Sequence, residues 1–135
     1  MSFRSLEEMH VYQKSVAVAD EVSAILERPE FRKDFKLHGQ LSASSSRVPA
    51  LIAEGYEQTT DRHFAHYLYI AKGSAKESRT HLIVAMGRKY LPKSECDPLA
   101  ERYLEIARML DGLIEHLEKE DRKHRRPHRN PPGDP

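Results

Sequence analysis

The chain has 135 residues, 39% of them hydrophobic and 32% charged, with a formal net charge of +1 and one cysteine, Cys96. That length suits a single domain able to bury a core unaided, and one cysteine excludes both an internal disulfide and a C-x-x-C pair for metal or redox work. Met1–His10 lacks the apolar run of a signal peptide, and no stretch approaches the ~18 uninterrupted apolar residues of a membrane span, so the expectation is a soluble, cytoplasmic protein with no membrane contact.

Four stretches place apolar or small residues at alternating steps of three and four, the spacing that keeps one helical face against a neighbour. The first spans about Leu6 to Glu27, where Val11, Tyr12, Val16, Val18, Ala19, Val22, Ile25 and Leu26 cover roughly half the circumference, wider than the ~100° stripe of a surface helix. Pro29 stops it. Glu30 to Lys36 then form a charged connection, with Phe31 and Phe35 available to plug the bundle end.

The second seam is Leu37, Leu41, Ser44, Val48 and Leu51, and Gly55 reads as a left-handed stop. Pro49 sits inside it, deleting one hydrogen bond and crowding the Ser45 carbonyl, so a kink is expected there, with the Ser44, Ser45 and Ser46 hydroxyls available to that carbonyl.

Thr60 or Asp61 caps the third helix, which extends to Tyr90 along Phe64, Leu68, Ala71, Ala75, Ser78, Leu82 and Ala85. Its small central residues invite close approach. Leu91 to Ser94 make a turn, Ser94 caps the fourth helix, and Pro98 falls in about its first turn, where a missing N–H costs little. Leu99, Tyr103, Ile106, Leu110, Leu113 and Leu117 form an unbroken heptad seam.

From residue 122 the chain loses its periodicity and gains prolines, and carries Arg122, Lys123, Arg125, Arg126 and Arg129 against one acid, Asp134. The predicted organisation is therefore all-α: an up-down-up-down four-helix bundle over residues 1–121, kinked in its second helix, and a disordered basic tail over 122–135. The bundle portion is net negative, so any cationic surface for phosphates is local.

Helix 3 carries Tyr67, Tyr69, Ile70, Ile83 and Val84 beside or away from its seam, more apolar surface than one bundle consumes. A homo-oligomer would bury it. The alternative is ordinary scattered exposure, which most surfaces show.

Candidate chemistry is sparse. A di-iron bundle needs two E-x-x-H pairs, and the only helical match is Glu7 to His10. His63 and His66 stand on adjacent turns, but two ligands do not make a metal site, and solvated histidines are the simpler reading. No metal or cofactor is expected. There is no Gly-rich phosphate loop and no G-x-S-x-G elbow, and Cys96 has no neighbouring histidine in sequence to activate it. Glu54 and Glu77 are candidate buried acids. Arg47, Lys72, Lys76 and Arg79 are the cations available to compensate them, and structural ion pairs explain these acids better than catalysis does. Glu77 lies beside Gly73 and Ser74, which make room for a neighbour.

Lys72, Lys76 and Arg79 share one helical face, with Arg62 nearby on the same helix. This stripe is either a solvated, acid-paired face or a strip facing phosphates. The tail, through Arg122, Lys123, Arg125 and Arg126, could add sequence-independent phosphate contacts.

Two segments carry a further signal. V-P-A-L-I-A-E-G over Val48 to Gly55 followed by Tyr56, and then Phe64 with L-Y-I-A-K-G-S-A-K-E over Leu68 to Glu77, resemble the two signature stretches of the 23S rRNA-intervening-sequence protein family. Val11-Tyr12-Gln13-Lys14 and Leu110-Asp111-Gly112-Leu113-Ile114 fit as well, so the resemblance covers about residues 3–118. It implies an up-down four-helix bundle, often a homopentameric ring, encoded in some bacteria within insertions in the large-subunit rRNA gene. The chain is also similar to the accessory bundle protein of diversity-generating retroelements, which binds nucleic acid and a reverse transcriptase. The resemblance thus implies a non-enzymatic pentamer with RNA, DNA or a nucleoprotein as partner. This chain departs from the family pattern at Leu51, where Asn is usual, and at Ser42 and Ala43, where basic residues are common. The second departure removes cations that would serve RNA binding through helix 2.

Overall fold

A computed structural model describes residues 5–124, and among them every regular element is helical. A 3-10 turn over Leu6–Glu8 leads through Met9 into α1 (His10–Leu26), so the first helix starts later than its apolar pattern suggests. A one-turn helix, α2 (Pro29–Lys33), follows, with Pro29 at its start: this proline opens a helix as well as closing off the one before it. α3 (Phe35–Tyr56), α4 (Asp61–Gly87) and α5 (Lys93–His124) complete the chain.

Three sets of contacts fix the topology. Ser44 meets Ser78 and Gly55 meets Phe64, which sets α3 antiparallel to α4. Lys72 meets Asp111 and the Leu82 carbonyl meets Cys96, which sets α4 antiparallel to α5. Lys14 with Glu105 and Arg28 with Glu95 run α5 antiparallel to α1. The result is an up-down-up-down bundle in which α1 closes the ring against both α3 and α5.

The seams land where the spacing puts them. All six residues of the α5 heptad are buried, as are Leu68, Ala71, Ala75, Ser78, Leu82 and Ala85 of α4 and Leu37, Leu41, Ser44 and Val48 of α3. Leu51 and Phe64 are only half-buried, and Ile52 takes the position expected of Leu51. On α1 the buried set is Val11, Ser15, Val18, Val22, Ile25 and Leu26, while Tyr12, Val16 and Ala19 are half-buried.

Pro49 lies within α3, which runs unbroken through it. Ser44, Ser45 and Ser46 each donate three residues back, to the Leu41, Ser42 and Ala43 carbonyls, so their single protons are not available to the carbonyl of Ser45. Gly55 is not a left-handed stop: it is buried inside α3, whose cap Glu57 has right-handed geometry. An added Cβ at Gly55 would lie 2.9 Å from both Phe64 Cδ1 and Tyr67 Cβ, so the residue is small because α4 approaches it closely.

At the far end of the bundle, Phe31 is fully buried and packs against the rings of Tyr90 and His38. Phe35 does not share that role and stands 85% exposed. It lies two residues before the buried Leu37, roughly 200° around the helix and so on the outer side. Asp34 caps α3 by accepting from Leu37 N at 3.2 Å, and it also accepts from Arg88 at 2.6 Å and Tyr90 at 2.8 Å. One carboxylate thus ties the α2–α3 corner to the α4–α5 turn, where Lys89 takes a left-handed φ of 66°. The Tyr90 hydroxyl, with the Leu37 amide and Arg88, holds the Asp34 carboxyl below the usual carboxylate range.

Two helix boundaries differ from expectation. α4 ends at Gly87, three residues before Tyr90, and α5 starts at Lys93, so Ser94 is its second residue and not its cap. That start puts Pro98 in the second turn, where it removes the bond to the Ser94 carbonyl. α5 also runs through Arg122 and Lys123 to His124, three residues past the predicted end of the bundle. Helix propagation needs no buried side chain, and the last turn carries basic residues that suit the helix C-terminus.

Candidate functional site

The surplus apolar residues divide by geometry. Tyr69, Ile70 and Ile83 are exposed at 63%, 41% and 38%, whereas Tyr67 and Val84 are half-buried, with Tyr67 pressed against Gly55. Between the rows Tyr69, Lys76, Ile83 and Ile70, Glu77, Val84 run His66, Gly73, Thr80 and Gly87, at steps of seven. A Cβ at Gly73 or Gly87 would meet nothing within 4 Å. The outer side of α4 therefore carries two apolar pairs, Tyr69 with Ile70 and Ile83 with Val84, separated by the charged Lys76 and Glu77 and flanking open positions at Gly73 and Gly87. Ser74, next to Gly73, faces the opposite way and is buried in the bundle.

The basic candidates do not form one stripe. Lys72 is bound to Asp111 at 2.7 Å and its Nζ sits 5.5 Å from the Tyr69 ring; the Asp111 carboxylate raises its pKa. Arg47 reaches Glu77 at 4.0 Å, and Glu77 also meets His81 at 3.3 Å. Arg79 is half-buried, with its Nε enclosed and unpartnered. Lys123 pairs with Glu120 at 3.2 Å. Of the candidates in the described residues, Arg62, Lys76, Arg79 and Arg122 have no carboxylate partner, and of these only Arg79 is half-buried. Arg125 and Arg126 lie outside the described residues.

Arg62 and Arg122 come together, although sixty positions separate them. The first three turns of α4 (Arg62, Ala65, His66, Tyr69) and the last turns of α5 (Glu118, Asp121, Arg122) line an open groove of about 420 Å³. Sequence reading missed Tyr69 and Glu118 as its co-lining residues. The antiparallel register of α4 and α5 was the available signal, and it required knowing that α5 continues past Asp121. A second groove, of about 360 Å³, runs between α1 and α5 over Ile25 and Leu99, bridged by the Arg28–Glu95 and Arg102–Glu21 ion pairs.

The acids and the thiol show no catalytic arrangement. Glu54 and Glu77, the candidate buried acids, are both exposed: they project from the outer sides of α3 and α4. Glu77 nonetheless makes the structural pairs noted above, and the Glu54 backbone carbonyl accepts from the Gln58 side chain. Cys96 is fully buried in the first turn of α5, its thiol directed at the Leu82 carbonyl at 3.4 Å, and burial pushes its pKa up and away from the reactive thiolate. His63 hydrogen-bonds its own cap residue Thr60, and His63 and His66 are exposed. Among the described residues no three His, Cys, Asp or Glu side chains cluster as a metal site. No described helix is long and apolar enough to cross a membrane.

A polar seam lies inside the bundle. Ser78 Oγ stands 2.8 Å from Ser44 Oγ and 2.9 Å from the Ser74 carbonyl, and the enclosed Tyr103 hydroxyl lies near Ser78 without forming a well-aligned hydrogen bond. Burial pushes Tyr103 up to about 12, with the nearby Ser78 hydroxyl opposing.

Comparison with known proteins agrees with this architecture. Residues 7–112 match the family described as 23S rRNA-intervening sequence protein. A crystal structure of a protein of unknown function from the S23 ribosomal protein family of Bacteroides thetaiotaomicron is similar in fold, with a TM-score of 0.70. It is 22% identical, and the alignment covers 77% of this chain and 97% of that one. No curated protein matches the chain.

Proposed function

Since the chain belongs to the 23S rRNA-intervening sequence protein family, we propose that it is a non-enzymatic, homo-oligomeric scaffold that assembles through the outer face of α4 and contacts nucleic acid or a nucleoprotein partner. The observation that carries the assembly half is the outer side of α4, where Ile70 and Ile83 stand in solvent beside Gly73 and Gly87, at which an added Cβ would meet nothing. Tyr67 and Val84 contribute at its margin. A ring of five copies is the assembly that the family resemblance favours.

The nucleic-acid half rests on Arg62, Lys76 and Arg122, cations left without acids, and on the basic run that continues through Lys123, Arg125 and Arg126. Among the described residues no acid, base and reactive thiol converge, which fits a binding role, and one cysteine without a disulfide partner suits a cytoplasmic protein. Of the motif residues, Pro49 lies within α3, Gly55 admits the close approach of α4, Gly73 and Ser74 split between outer and inner faces, and Glu54 and Glu77 are surface carboxylates.

A second reading has its own support. Lys72 and Arg47 are neutralised by Asp111 and Glu77, which fits an oligomer that docks only protein. Binding of RNA and DNA measured across salt, for the full chain and for a chain ending at Asp121, separates the two. The nucleic-acid reading predicts affinity that falls steeply with salt, with a shallower slope after truncation. Undetectable binding in both chains would leave the protein-docking scaffold.

A further inference from the structure

The groove between the start of α4 and the end of α5 holds an unusual combination. Arg62 and Arg122 line it together with the carboxylates of Glu118 and Asp121, and among the described residues Arg62, Arg122 and Glu118 make no ion pair. Opposite charges that share a groove without pairing remain free to engage a ligand that offers both an anion and hydrogen-bond donors. Tyr69 supplies an exposed ring at the same wall, and His66 a second flat side chain. The volume, about 420 Å³, is on the scale of a small-molecule site.

We infer that this groove is a nucleotide subsite for single-stranded nucleic acid: one base stacks on Tyr69, its edge donates to the Glu118 carboxylate, and the flanking phosphates lie on Arg62 and Arg122. Aromatic stacking is tolerant of base identity, and guanidinium groups match phosphate oxygens in pairs. Glu118 adds discrimination. A carboxylate only accepts, so it favours a base edge with adjacent N–H donors, and guanine presents two side by side where uracil presents one. A duplex would not fit this recognition, since its bases are stacked and their edges paired. The neighbouring Lys72 is held against the Tyr69 ring by Asp111, which fixes the back of the stacking platform. Thr80, Ile83 and Gly87 lie about three to five turns further along α4 than Tyr69, so a second copy docked over that half of the helix leaves the Tyr69 ring to a bound strand.

This inference rests on the nucleic-acid reading proposed above, and the test separates the two. Short RNA strands containing guanosine and strands of uridine only are titrated, at low and moderate salt, against the full chain and its Tyr69→Ala, Glu118→Gln and Arg62→Ala variants. These side chains lie on the surface, and a circular-dichroism melt confirms that the variants fold. The wild type should prefer the guanosine strand. Tyr69→Ala should weaken both strands about tenfold or more, the loss of one stacked base. Glu118→Gln should abolish the preference and leave uridine binding equal or tighter, because a carboxylate near the phosphates has gone. Arg62→Ala should lower the salt slope by about one. Strands that bind the wild type, Tyr69→Ala and Glu118→Gln alike would overturn the groove assignment while sparing the nucleic-acid role. Failure of every strand to bind the wild type at low salt would remove that role and this subsite with it.

Discussion

α4 carries apolar side chains on two faces, and only one of those faces is consumed by the bundle. Its inner face, Leu68, Ala71, Ala75, Ser78, Leu82 and Ala85, is buried against α3 and α5. Its outer face repeats the same spacing around Gly73, Thr80 and Gly87, yet Tyr69, Ile70 and Ile83 there remain in water. A helix that satisfied only its own bundle would carry polar side chains on that side. The difference teaches that the inner face accounts for the fold of one chain, while the outer face is left over for the assembly proposed above.

Substitutions on the two faces should separate these roles. The largest effect belongs to the inner one: Leu82→Ala, at a fully buried position, should cost about 3 kcal/mol in urea unfolding. Ile83→Ala, one residue away on the outer face, should change the unfolding of the single chain by less than about 0.5 kcal/mol. Equal costs would erase the distinction. Gly55→Ala tests the close approach of α3 to α4, and with Phe64 and Tyr67 only 2.9 Å from the new Cβ it should destabilise by about 2 kcal/mol, read as a lower melting temperature.

Tyr103→Phe probes the polar seam of the interior, because it removes an enclosed hydroxyl that is close to Ser78 but makes no well-aligned hydrogen bond. It should raise stability by about 1 kcal/mol in the same unfolding assay. Asp34→Asn acts at the bundle end, away from both faces of α4. The native carboxyl is held below its ordinary value, so its contribution is present above the unfolded carboxylate pKa and disappears as pH falls through the folded one. The variant should therefore melt below the parent at neutral pH, and the two curves should converge in strong acid.

Much of this was legible in the sequence, because burial follows spacing. Leu99 through Leu117 and Leu68 through Ala85 were assigned to the interior from their periodicity alone, and Thr60 does cap α4, accepting from His63 N. What escaped depended on partners distant along the chain. Gly55 carries the local signature of a helix stop, and only the position of Phe64 and Tyr67 reveals it as a contact point. Phe31 and Phe35 look equivalent in sequence, but one turn of helix and the Asp34 cap send them in opposite directions. The groove was hidden for the same reason, since Glu118 and Tyr69 meet only through the antiparallel register of α4 and α5, in a stretch of α5 whose polar face gives no periodic signal.

Multi-angle light scattering on the purified full chain tests the central claim most directly, run beside an Ile83→Glu variant. The account predicts a wild-type mass five times that of one chain, and a variant reduced towards the single-chain mass whose helical content is unchanged. A wild type that runs at the mass of one chain at every concentration, with its outer α4 face open to water, would contradict it.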